Sequence, residues 1–253
     1  MIAKRIIPLF LLKGGRLVKG TRFSGPFVDV GDPLSQAMIY DAQGAEEIAI
    51  VDIEATSQGR CIDAGVINAM IRKCRLPISA GGGISTLAQA NACFAAGADK
   101  IIVNTGAVAN PEFVRQLARE FGAQSIVASV DFRRHGEALV PYTNSGTTRL
   151  DRDLDPLLQE LVEAGAGEII LTSIDREGTL SGPDVEVYAA LTAKLPVPLI
   201  ASGGIGSYDD MVELFRQSDC SACALGKMLV LRDYDIVRIK AYLTGRKIPV
   251  RDA

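Results

Sequence analysis

The sequence predicts an α/β chain folded as a single (βα)8 barrel built from two repeated (βα)4 halves. Three observations carry this. The chain repeats itself: Gly44-Ala45-Glu46-Glu47-Ile48 returns as Gly165-Ala166-Gly167-Glu168-Ile169, and Leu76-Pro77-Ile78-Ser79-Ala80-Gly81-Gly82-Gly83-Ile84 returns as Val197-Pro198-Leu199-Ile200-Ala201-Ser202-Gly203-Gly204-Ile205. Both returns come 121 residues on (44 to 165, 76 to 197), so two units, approximately residues 1–122 and 123–253, fill the chain. Such a unit is too long for the roughly 20–50-residue repeats of solenoids and propellers, and has room for two strand–helix–strand–helix sets. Second, short β-branched runs alternate with helical stretches along the whole length, the pattern of a parallel sheet covered by helices. Third, 48% of the residues are hydrophobic and no Pro/Ser-rich linker interrupts them, which supports one large core and excludes disorder.

The eight strand candidates are Ile6–Leu11, Ile48–Ile53, Pro77–Gly81, Lys100–Asn104, Ser125–Asp131, Glu168–Ser173, Pro198–Ser202 and Ala222–Gly226. Their near-continuous apolar character suits strands buried on both faces. Between them lie amphipathic stretches such as Leu34–Ala42, Thr86–Ala96, Glu112–Phe121, Leu154–Ala164 and Tyr208–Gln217. Thr86 with Gln89 offers a capping box, and Gly97, Gly122 and Gly165 stand where helices should stop. Alternating βα units close right-handed, and the repeat favours a barrel of the TIM type over an open sheet. The apolar run Ile6–Leu12 behind Lys4-Arg5 superficially resembles a secretion signal. It is short, lacks a small-residue cleavage site and meets Lys13-Gly14-Gly15-Arg16 at once, so a first barrel strand is expected.

Composition narrows the function classes. A net charge of −3 argues against a general nucleic-acid binder, while leaving room for a local cationic site for a phosphorylated metabolite. No stretch approaches a membrane span. The cysteines (Cys61, Cys74, Cys93, Cys220, Cys223) are odd in number and lack framework spacing, which suits a reducing cytoplasm. Cys220-x-x-Cys223 has no second Cys/His pair to complete a zinc site and is expected to be packing. Neither metal nor cofactor is expected.

In this fold the chemistry sits at the C-terminal strand ends. Gly81-Gly82-Gly83 follows strand three and Ser202-Gly203-Gly204 follows strand seven. Glycines admit an anion close to backbone N–H groups, and a following helix adds its positive end. Asn104-Thr105 would complete one phosphate cradle, and Gly226-Lys227 the other. Two cradles across the mouth imply a long ligand with a phosphate at each end. Carboxylates also gather there: Asp131 ends strand five, Asp52 lies near the end of strand two, and Asp175-Arg176-Glu177-Gly178-Thr179 follows strand six. Asp131 faces the expected substrate position as an acid or base, whereas Asp52 reads equally as a salt bridge or loop cap. His135, the only histidine, lies on a loop beside Arg133 and Arg134 and reads as a surface residue. At the opposite end, Arg5, Glu47, Lys100 and Glu168 each start a strand. Charges so placed form mutually paired ions, acting either as a structural plug or as a gate to the barrel interior.

Several of these segments resemble a known family. Ala3-Lys4-Arg5-Ile6-Ile7-Pro8, Lys13-x-Gly15-Arg16-x-Val18-Lys19-Gly20, Gly97-Ala98-Asp99-Lys100, Asn104-Thr105, Leu171-Thr172-Ser173-Ile174-Asp175-Arg176 and Ala201-Ser202-Gly203-Gly204 together resemble HisF, the cyclase subunit of imidazole glycerol phosphate synthase. The resemblance runs from residue 1 to about residue 245. It implies a HisH-like glutaminase docked at the N-terminal face of the barrel, near Asp99, and ammonia passing a gate formed by Arg5, Glu47, Lys100 and Glu168. At the far end ammonia would meet a bis-phosphorylated aminoimidazole carboxamide ribonucleotide, giving imidazole glycerol phosphate and an aminoimidazole carboxamide ribotide. Lys19 would lie on the loop that folds over substrate, and Glu177 would match the acid after strand six.

The sequence also departs from that family. It uses one acid on strand one and one on strand five. Asp131 matches the second, but Leu11 stands where the first should be. Leucine transfers no proton, and such a loss costs about 10² to 10⁴ in rate. Leu9, Phe10 and Leu12 make the whole stretch apolar, and Leu225-Gly226-Lys227-Met228 departs from the small-residue pattern around the second phosphate. The expected reading is therefore a HisF-like barrel that conducts ammonia from its glutaminase within a glutamine amidotransferase complex. Such relatives occur beside amidotransferases that aminate surface-polysaccharide sugars, as in lipopolysaccharide biosynthesis, so a separate acceptor protein is a further expected partner. The alternatives are an authentic lyase-type cyclase of histidine biosynthesis using Glu177 or Asp52 as substitute acid, and, more distantly, a HisA-like isomerase.

Overall fold

Eight parallel strands close on themselves in chain order in a computed structural model that describes residues 3–231 and 234–251. They are β1 (Arg5–Lys13), β2 (Ile48–Asp52), β3 (Ile78–Gly81), β4 (Lys100–Val103), β5 (Ile126–His135), β6 (Glu168–Ser173), β7 (Leu199–Ser202) and β8 (Ala222–Leu225). The pairing β4–β5 joins the two halves of the circle on one side, and β8–β1 on the other. Followed once round through every pairing, the register that leaves β1 at Arg5 returns to it at Lys13, eight residues along. That stagger is the shear of the TIM barrel.

Side chains alternate along each strand, so each contributes to two different cores. The inward set (Ile7, Ala49, Ile102, Val127, Ile170, Ile200, Ala222 and Ala224) forms a cluster inside the barrel. The outward set, including Ile6, Phe10, Ile48 and Ile50, packs against the surrounding helices as one larger core. The expected helices are present as Pro33–Ala42, Leu87–Ala95, Pro111–Phe121, Leu154–Glu163 and Tyr208–Gln217. Thr86 and Gln89 make the predicted capping box: the Gln89 amide donates to the Thr86 hydroxyl at 3.2 Å and the Thr86 amide to the Gln89 side chain at 3.1 Å. Further helices cover the barrel at Ala64–Ile71, Val185–Thr192 and Ile236–Gly245.

Two strands run longer than their apolar patterns suggest, because each turns back as a hairpin above the barrel. β1 continues through Gly14-Gly15 into Arg16–Thr21, which pairs with Ser24–Gly31. β5 continues through Gly136-Glu137 into Ala138–Thr143. Both are two-residue turns containing glycine, which match the right-handed twist of a strand pair. At the lower end the last helix is tied to the barrel by a buried ion pair. Lys240 Nζ meets Glu46 Oε1 at 2.6 Å with both side chains about 4% exposed, while the other Glu46 oxygen accepts the Ile6 amide at 3.0 Å. No helix among the described residues is long and apolar enough to cross a membrane.

Removing one partner of such a pair strands the other charge. Lys240→Met is therefore expected to cost about 3–5 kcal/mol in chemical denaturation. The double variant with Glu46→Leu should recover most of that loss.

Candidate functional site

The two barrel ends are built differently, and both follow from the inward parity of the strands. At the lower end Arg5 reaches Glu47, just before β2, at 3.0 Å and Glu168 on β6, while Lys100 reaches Glu47 at 3.2 Å and Glu168 at 2.9 Å. The four side chains form a closed ring of alternating sign across the barrel. Both carboxylates are almost wholly buried, and the two cations keep about a fifth of their surface. Burial works against the Arg5 charge, but Glu168 and Glu47 outweigh it and hold the guanidinium above its ordinary range. Two residues not singled out in the sequence join the ring. Ser79 donates its hydroxyl to Glu47, and the Ser221 hydroxyl accepts from Arg5 at 3.3 Å. Their only sequence signal is inward parity at the base of β3 and just before β8. Asp99 lies exposed at this same end and accepts the Ile78 amide at 2.8 Å.

At the upper end Asp131 is buried opposite Thr172. Asn104 Nδ2 donates to Asp131 Oδ2 at 2.9 Å and to the Ser129 carbonyl at 3.0 Å. Desolvation dominates the carboxyl and pushes its pKa up to about 7. Hydrogen bonds from Asn104 and Thr172 pull it down, and the Glu177 charge pushes it further up. A group titrating there is suited to proton transfer near neutrality. Glu177 is itself raised by burial, against hydrogen bonds from Phe23 and Arg22 and the charges of Lys19 and Lys227.

Leu11 faces the mouth beside Leu9 and Ala224, in a cleft that also takes in Lys19, Glu177, Gly178, Ser202, Gly203, Gly204, Gly226 and Lys227. This brings together the residues expected around the second phosphate. Lys19 is 4% exposed and donates to the Leu9 carbonyl at 2.7 Å. Burial lowers its pKa to about 8, with Glu177 opposing the shift. Its ammonium occupies the space above Gly226, where a Cβ would come within 2.8 Å of Nζ. Lys227 does not project freely: its Nζ donates to Thr21 Oγ1 and to the Gly178 carbonyl, each at 2.8 Å.

The first cradle lies across the mouth. Asn104 is tied to Asp131, and Thr105 Oγ1 accepts the Asn144 amide at 3.1 Å from the β5 hairpin. In both cradles the second glycine of the turn is fixed by a close approach. Gly83 (φ +68°) and Gly204 (φ +93°) are left-handed, and a Cβ would stand 1.9 Å from the Arg60 carbonyl in one and 2.2 Å from the Gly182 carbonyl in the other. Glycine is thus required by the chain's own loops, which lie directly behind both turns, along with Gly82 and Gly203 beside them.

The remaining upper carboxylates are engaged. Asp52 forms a two-point ion pair with Arg60 (2.5 and 3.2 Å) and caps the Glu54 amide at 3.0 Å, so it braces the loop behind Gly83. Asp175 accepts the Arg134 amide at 2.8 Å and anchors the β5 hairpin, where His135 meets the Tyr142 hydroxyl at 2.9 Å. Cys220 and Cys223 are buried, and among the described residues no cluster of His, Cys, Asp or Glu is arranged to hold a metal ion.

A closed parallel barrel with an ion ring at its base and a buried carboxylate among glycine turns at its mouth is a TIM barrel with its candidate site at the C-terminal face. The model of the histidine biosynthesis protein family matches residues 5–235, and the chain belongs to that family.

The raised Asp131 pKa has a signed consequence. Between an ordinary carboxyl pKa of about 4 and about 7, the folded chain holds a proton that the unfolded chain has lost, so this group subtracts stability as pH rises through that window. Asp131→Asn removes the titration. Its stability relative to wild type should improve from pH 4 to pH 8 by on the order of 4 kcal/mol, read from denaturation midpoints at the two pH values.

Proposed function

We propose that this HisF-like barrel accepts ammonia from a HisH-like glutaminase docked at its N-terminal face and conducts it within a glutamine amidotransferase complex. The final acceptor is a separate protein, such as an amidotransferase acting on surface-polysaccharide sugars. One observation carries this reading, the contrast between the two ends. The ring of Arg5, Glu47, Lys100 and Glu168 is complete, while β1, four strands round the barrel from Asp131, brings Leu9 and Leu11 to the mouth in place of a second acid. Above the ring the interior is lined by Ala49, Val51, Ala222 and Ala224 among branched aliphatic residues, none of which can protonate or trap a small neutral amine. Asp99, exposed at the ring end, supports a partner on that face.

A second reading has one observation in its favour. Asp131 feels the charge of Glu177 and both are shifted upward, chiefly by burial, so Glu177 could stand in as the second acid of an authentic cyclase. A turnover assay separates the two. With ammonium salt and the bis-phosphorylated ribonucleotide, the native chain should show no cyclase turnover; an ordinary rate refutes the conduit reading. Leu11→Asp is the companion variant, and activity in it alone makes that side chain the whole difference.

With the glutaminase partner present, Arg5→Ala should uncouple the complex. Glutamine hydrolysis should continue while delivery of its ammonia to the acceptor falls at least tenfold, because the ring then loses one of its two cations and leaves two buried carboxylates to share Lys100 in the path. Isotope tracing from amide-labelled glutamine measures that ratio.

A further inference from the structure

We propose that Lys227 is a latch that holds the Arg16–Gly31 hairpin shut over the barrel mouth, making this hairpin a lid closed by the chain's own groups. The hairpin leaves β1 and crosses the mouth to reach the loop after β6. There the Arg22 amide donates to the Glu177 carbonyl at 2.9 Å, and Arg22 Nε donates to the Asp175 carbonyl at 3.1 Å. Phe23 packs with Val140, Tyr142 and Ile174, so the lid also rests on the β5 hairpin. Gly178 lies so close to Gly20 that a Cβ would stand 2.4 Å from its carbonyl. Lys227 joins the two layers, since one ammonium bonds Thr21 on the lid and Gly178 on the loop beneath, both at 2.8 Å. Removing it therefore takes away the charged tie between the lid and the β6 loop and leaves the Arg22 bonds and the Phe23 contacts to hold the lid alone. Bonds from a charged donor are also the stronger kind, and here they are only partly exposed.

The latch changes what the second glycine turn offers. Lys227 spends two of its three donors inside the chain, and Lys19, on the lid, fills the space over Gly226. An anion entering the cleft at Gly203-Gly204 competes with Thr21 and Gly178 for the charge of Lys227, which is already bonded to both layers. Occupation of the cleft and loosening of the lid are therefore coupled, whatever the barrel receives from below.

Hydrogen exchange of the full chain, read by mass spectrometry, tests the latch. In the native chain the lid amides around Arg22 should be protected. Lys227→Met and Thr21→Val should each raise their exchange by about tenfold or more while β1–β8 keep native protection, and the double variant should add little to Lys227→Met alone. Trypsin cleavage after Arg22 should accelerate in parallel, since it follows the population of the open form. Unprotected lid amides in the native chain, unchanged lid exchange in both variants, or exchange rising equally throughout the barrel overturns the proposal.

Discussion

Closure of the sheet into a barrel, completed where β8 pairs with β1, is the constraint from which the rest of this molecule follows. With the register staggered by eight residues round the circle, the inward position of every strand is fixed. A slip of one residue in any strand would turn its inward side chains out among the helices. On β1 the same parity that sends Arg5 into the ring sends Ile7, Leu9 and Leu11 up the interior. On β5 it sends Val127, Ser129 and Asp131 inward. The ring at the base and the carboxylate at the mouth are thus two consequences of one geometry.

Buried charge is handled in opposite ways at the two ends. At the base, every charge faces two of opposite sign, and hydroxyls take up further lone pairs, so the ions hold one another in place. At the mouth Asp131 has only neutral donors, Asn104 and Thr172, and a distant like charge. Desolvation therefore prevails, and its affinity for a proton rises. Lys19 shows the mirror effect. A buried ammonium bonded to one carbonyl loses affinity for its proton, and the charge of Glu177 only partly restores it. The base is built for permanence and the mouth for titration near neutrality.

The fold was legible because barrel strands buried on both faces leave continuous apolar runs, and glycine marks the turns after β3 and β7. The ring was legible too, since charged residues at the start of apolar strands have few other places to go. The hairpins were harder to read. Gly14-Gly15 and Gly136-Glu137 are two-residue turn signals, but they stand beside charged residues that resemble ordinary loops. Missing them hid the partners of the mouth. Thr21, Phe23 and Asn144 act through long-range contacts for which local pattern gives no sign. Asp52 illustrates the same limit: a carboxylate at a strand end reads equally as acid or brace until Arg60 is seen beside it.

Leu11 has a meaning that depends on what surrounds it. A lone leucine in a polar mouth would be a simple deletion of an acid, restored by one substitution. Here it adjoins Leu9 and Ala224, with the Lys19 ammonium turned onto the Leu9 carbonyl and over Gly226. A carboxylate placed at position 11 would enter an apolar wall and draw the nearby lysine toward itself, away from both. The wall, the buried lysine and the bonds of Lys227 are mutually consistent: each occupies space or donors that a phosphorylated substrate with a second acid would need. The mouth of this barrel is organised around its own hairpin, whereas the base keeps every charge of a closed ring across the interior.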